Sequence, residues 1–151
     1  MNELNGYDVE DLQVGMKAEY AKTLTEADVV LFAGASGDIN PIHLNEDYAK
    51  TTSFGGRIVH GLLTASLISA AVGNQLPGPG SIYMSQSMRF KAPVKSGDTV
   101  RVEVIVRDVI EEKSRVVMET NCYVGDTLVI EGEALMMTSS MAERKKARVI
   151  A

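Results

Sequence analysis

Residues Gly61 to Asn74 hold the feature that most constrains how this chain can fold. Leu62, Leu63, Ala65, Leu67, Ile68, Ala70, Ala71 and Val72 leave a helix of that span almost no polar face. A helix apolar all round belongs in an interior. Pro77-Gly78-Pro79-Gly80 then ends it, because proline lacks the N–H that a helix needs. Beyond Ser81 the period changes. Val100, Val102, Val104 and Val106 alternate with Arg101, Glu103, Ile105 and Arg107, the two-residue period of a half-buried strand. An interior helix followed by strands requires the strands to wrap it.

Other strands are expected over Met16 to Leu24, Ile82 to Phe90, Arg115 to Val124 and Thr127 to Thr138. Gly125-Asp126 between the last two is a two-residue hairpin turn of favourable composition. Short helices follow the first strand. Thr25 caps one, with Asp28 placed for a capping box and Gly34 and Gly37 as its end. Asn45 caps another, Glu46 to Thr51. Ser53 to His60 is a glycine-bearing loop. The expected class is α+β, an antiparallel sheet of about five strands around one central helix. The 151 residues fit one domain, 1–151, with a basic tail at 139–151 that includes Arg144 to Arg148.

The chemistry is concentrated in Gly37-Asp38-Ile39-Asn40-Pro41-Ile42-His43-Leu44. Asn-Pro initiates turns, and the residue before proline is pushed out of the helical region. Asp38 and His43 therefore flank a bend instead of sharing a regular helix face. Two readings are open on the turn alone. It is either a polar turn, with Asp38 accepting backbone N–H bonds, or an acid–base pair poised on one water. The following Phe54-Gly55-Gly56-Arg57-Ile58-Val59-His60-Gly61, leading into the apolar helix, favours the second.

A formal net charge of −5 lacks the basic footprint of a nucleic-acid binder. Cys122 is the only cysteine, so no intrachain disulfide forms, and a reducing, cytoplasmic compartment is expected. No secretory signal is visible, and the longest apolar stretch is too short and too interrupted for a membrane span. Two histidines without clustered cysteines give no recognisable metal-ligand spacing, so no metal is expected.

Asp38-Ile39-Asn40-Pro41-Ile42-His43, Val59-His60-Gly61 and Gly80-Ser81-Ile82-Tyr83 together resemble the MaoC-like hydratases. The likeness runs from about Leu12 to Thr138 and is greatest to the short (R)-specific enoyl-CoA hydratases that supply monomers for polyhydroxyalkanoate synthesis. The resemblance implies the hot-dog fold, hydration of trans-2-enoyl-CoA to (3R)-hydroxyacyl-CoA, and no cofactor or metal. It implies Asp38 and His43 as the catalytic pair and Gly61 as the backbone donor to the thioester carbonyl. Ser69, with Ser66 as the other candidate, matches a serine that supports the site, and Asn40 joins the substrate-binding set. The partners implied are an acyl thioester, with CoA or acyl carrier protein as its carrier, and a second copy of the chain, with neither nucleic acid nor membrane.

Other readings of the same residues stay open. Gly61 is equally a plain helix start, and Ser69 can bond a backbone carbonyl one turn earlier. His60 adjoins the helix start, where a capping role is expected. Arg57, Arg89 and Lys91 are candidates for CoA phosphates, although each singly is expected on a solvated surface. The eight methionines fill gaps in the core or line an acyl tunnel. A strand through Val100 to Val106 has no proline to blunt it and is expected to offer an open edge for pairing with a second chain. Two functions compete with hydration: a hot-dog thioesterase and a non-catalytic acyl-binding module.

Overall fold

The computed structural model describes residues 1–150. The interior helix is α4, Gly61–Asn74, the fourth after α1 (Glu26–Ser36), α2 (Pro41–Leu44) and α3 (Glu46–Ala49). Strands β1 (Lys17–Thr23), β2 (Ile82–Phe90), β3 (Thr99–Ile110), β4 (Arg115–Val124) and β5 (Thr127–Met137) form one antiparallel sheet in the order β1-β3-β4-β5-β2. The sheet curls around α4 in the hot-dog arrangement.

The two-residue period of β3 does what its sequence implies. Val100, Val102, Val104 and Val106 are fully buried, each stabilising the fold by roughly 2 kcal/mol through removal from water. They meet Ile68, Ala71 and Val72 of α4 in the same core. In register beyond them lie Thr120 and Met118 of β4 and then Ala134 of β5. The β4–β5 turn holds Gly125 at φ 55°, a left-handed conformation that glycine adopts without steric cost.

Four expectations need correction. β3 is an interior strand between β1 and β4, so it offers no open edge; the sheet edges are β1 and β2. α4 is not covered all round, because Leu62, Ser66 and Ser69 form an exposed stripe at helical spacing. Gly34 lies inside α1, and only Gly37, at φ 77°, ends it. α3 stops at Ala49 instead of Thr51.

The caps hold. Thr25 Oγ1 accepts from the Asp28 N–H while the Asp28 carboxylate accepts from the Thr25 N–H, a reciprocal cap worth about 1 kcal/mol. Asn45 Oδ1 accepts from the Tyr48 N–H.

The residues read as a basic tail include a helix, α5 (Met141–Ile150). Glu10 seats its first turn, accepting from Ser140 Oγ and from the Met141 and Ala142 N–H groups. Arg144 is not free: it pairs with the buried carboxylate of Asp8. The side chain of Arg148 lies outside the described residues.

Candidate active site

The segment after α1 is shaped by one cap inside another. Gly37 turns the chain out of α1, and Asp38 Oδ1 then accepts from the Asn40 N–H at 3.2 Å. Asn40 Oδ1 in turn accepts from the Ile42 N–H, capping α2 with Pro41 at its first position, where proline costs no hydrogen bond. Asp38 thus precedes the short helix and His43 lies within it. His43 Nε2 comes to 4.0 Å from Asp38 Oδ2, with the His43 side chain 11% and the Asp38 side chain 49% exposed.

The tautomer of His43 follows from its other nitrogen. Nδ1 lies 2.8 Å from the carbonyl oxygen of Ile58. A carbonyl only accepts, so Nδ1 carries a proton, and in the neutral ring Nε2 presents its lone pair toward Asp38. Ile58 is itself tied back by its N–H to the Ile42 carbonyl.

His60 does not cap α4. It holds the N-cap position, but its side chain makes no cap hydrogen bond. Instead the ring is buried, donates from Nε2 to the main-chain oxygen of Asp38 at 3.0 Å, and stacks on His43 with centroids 3.9 Å apart. Sequence reasoning placed His60 at the right point of the chain and gave it the wrong contact.

Gly61 opens α4, so its N–H lies outside the intrahelical ladder at the positive end of the helix dipole. A Cβ there would fall 2.7 Å from the Phe90 ring. Asp38, His60 and Gly61 line a cleft of about 450 Å³ whose other walls include Phe54, Leu62, Phe90 and Lys91. His43 lines a neighbouring hollow of about 260 Å³ with Glu26, Glu46 and Arg57. A larger hollow, about 680 Å³, lies on the outer sheet face among Arg89, Arg107, Glu119, Glu131 and Glu133. It holds none of the candidate residues, and its charged walls suit water better than an acyl chain.

The remaining candidates fall elsewhere. Asn40 is engaged in its cap. Ser66 Oγ donates to the Leu63 carbonyl, and Ser66 and Ser69 both lie on the exposed stripe of α4, away from the cleft wall. Arg57 is held by Glu26 and Glu46. Lys91 lines the cleft, 3.9 Å from Glu131. Cys122 is buried, and burial pushes its thiol up to about 12, which leaves no thiolate for nucleophilic attack.

Among the described residues, Asp38, His43 and His60 are the His, Cys, Asp or Glu side chains close enough together to consider as ion ligands. The fit is poor because the two rings stack at an interplanar angle of 29°. In-plane lone pairs on stacked rings do not converge on one point.

The sequence and the sheet wrapped on one helix are matched among known proteins. The MaoC like domain model matches residues 9–127. An (R)-specific enoyl-CoA hydratase of Rhodospirillum rubrum is 54% identical over 128 residues, covering 85% of this chain and 89% of that protein. A 3-hydroxybutyryl-CoA dehydratase of Methylorubrum extorquens is 49% identical, covering 89% and 85%. Among solved structures, an unliganded R-hydratase from Pseudomonas aeruginosa superposes with a TM-score of 0.83 at 46% identity, covering 88% of this chain and 86% of that one. The chain belongs to the MaoC-like domain family.

Proposed function

We propose that this protein is a hydro-lyase that reversibly adds water to a trans-2-enoyl-CoA to give the (3R)-3-hydroxyacyl-CoA. The observation that carries the mechanism is the placement of Asp38 Oδ2 and His43 Nε2 4.0 Å apart, with Asp38 lining the same cleft as Gly61, the first residue of α4. One water within hydrogen-bond reach of both groups loses a proton to the pair as its oxygen bonds to C3. Charge moves onto the thioester oxygen, where the Gly61 N–H and the helix dipole receive it. The pair then returns one proton to C2, which balances the addition. The reaction is redox-neutral, so the reading calls for no cofactor; the CoA carrier is part of the substrate.

The same reading makes the working unit a homodimer. Strand β2 is an open sheet edge, with Ile82, Tyr83, Met84 and Phe90 exposed. Unblunted edges pair with other chains, and twofold symmetry is the commonest closure. In a dimer a partner covering the Leu62-Ser66-Ser69 stripe would give Ser66 and Ser69 their route to the acyl chain. We place the enzyme in the cytoplasm, in keeping with the free, buried Cys122; among the described residues no helix is long and apolar enough to cross a membrane.

Stereochemistry tests the reading. With an (S)-specific 3-hydroxyacyl-CoA dehydrogenase and NAD, the product is expected to give no NADH, whereas stoichiometric NADH would contradict it. A chain-length series of enoyl-CoA substrates then defines acyl preference.

A further inference from the structure

We infer that His60 is a positioning residue that locks the two halves of the catalytic pair to the oxyanion donor. The inference rests on the hydratase reading above. Residues 58–60 make two hydrogen bonds that define the site. Ile58 O accepts from His43 Nδ1 at 2.8 Å, and His60 Nε2 donates to Asp38 O at 3.0 Å. Gly61 follows directly as the first residue of α4. The anchor beneath them is the Val59 N–H, which donates to the Val94 carbonyl at 2.7 Å.

His60 touches both members of the pair through its side chain. Its Nε2 must carry the proton, because its partner is a carbonyl. Its Nδ1 is buried without a hydrogen-bond partner, so a proton there would have no acceptor. As neutral rings the two stacked imidazoles are therefore opposite tautomers, Nδ1–H in His43 and Nε2–H in His60. Phe32, 4.9 Å away by ring centroids, also packs against His60. Polar atoms buried without partners are uncommon and costly. A residue kept for packing alone would need no imidazole here. The ring supplies both a long-reach donor for the Asp38 carbonyl and a flat face for His43.

Two substitutions separate these parts. His60→Gln keeps a donor of similar reach and loses the face; His60→Phe keeps a face and loses the donor. Both are to be measured by kcat and KM on crotonyl-CoA, by thermal melting, and in an Asp38→Asn background. Wild-type hydration must be present first; its absence would refute the hydratase reading, not this one.

The expected result is a tenfold or greater fall in kcat for His60→Phe, KM within about threefold, an unchanged oligomer, and partial recovery in His60→Gln. In the Asp38→Asn background either change should cost less than about threefold, since residues acting as a unit are not additive. Should His60→Phe fail to fold, the His60→Gln cycle decides by the same criterion. Full multiplicative losses in both backgrounds, or a wild-type kcat in a folded variant, would overturn the proposal. An activity-free check is the ¹⁵N spectrum of the imidazoles. Opposite tautomers support it, and Nδ1–H at His60 overturns it.

Discussion

His43 Nε2 faces Asp38 Oδ2 across 4.0 Å. That gap is too long for a direct hydrogen bond, so neither group's capacity is consumed by the other. One water can lie within reach of both. Their partners on the far side are fixed: Ile58 O for His43, and the Asn40 N–H for Asp38.

Asp38→Asn is expected to fold normally and to lose hydration by at least about a hundredfold, the scale of general acid–base removal. His43→Gln should behave alike. The double variant should lose much less than the product of the single losses. Steady-state rates on one enoyl-CoA decide this, and multiplicative losses would assign the two groups to separate steps.

Gly61→Ala places a methyl group 2.7 Å from the Phe90 ring. Phe90 is 55% exposed and can swing aside, so the fold should survive. The ring then crowds the cleft mouth, and KM should rise several-fold. Adding Phe90→Ala should recover part of the loss. Kinetics indistinguishable from wild type in Gly61→Ala would remove the close approach from the account.

The α5 clasp predicts an acid limit to stability. Hydrogen bonds from Arg144 hold Asp8 down at about 2, against the cost of burial and with help from Ser139. Burial alone would raise Glu10, but the Ser140 hydroxyl and the Met141 and Ala142 amides outweigh it and bring it to about 2. Both folded values lie below the unfolded values of 3.8 and 4.5. Their contribution is therefore complete above about pH 4.5 and is lost as pH falls toward 2. The Asp8 part is roughly 2 kcal/mol. Thermal melts across that range should show the drop, and Asp8→Asn should flatten it. A wild-type slope in Asp8→Asn would contradict the clasp.

Elements of the fold differ in how plainly residue type encodes them. The apolar run after Gly61 and the valines of β3 named the helix and its wrapping sheet, because burial writes its period directly into residue type. Strand order is not written that way. β3 looks like any unblunted strand until β1 and β4 are seen to cover it. The Asp38–His43 spacing was legible because Asn-Pro forces a bend. The role of His60 was not, since a ring stack and a bond to a main-chain carbonyl leave no residue-type signature. The exposed stripe of α4 was hidden for a related reason: Leu62 is apolar whether or not its own chain covers it.

Assembly is the next check. Sedimentation at micromolar concentration should give at least twice the 16.3 kDa chain mass. A charge placed on the stripe, as in Ser66→Arg, should lower both the mass and the activity. An active single-chain species would refute the shared site.

Incubation with crotonyl-CoA, followed for enoyl-thioester absorbance and for free thiol in the same cuvette, tests the central claim most directly. The account predicts that absorbance falls to an equilibrium value while no thiol appears, and that Asp38→Asn abolishes the fall. Release of thiol in step with the absorbance loss would mean hydrolysis of the thioester, and unchanged absorbance would mean an acyl-binding module; either would contradict it.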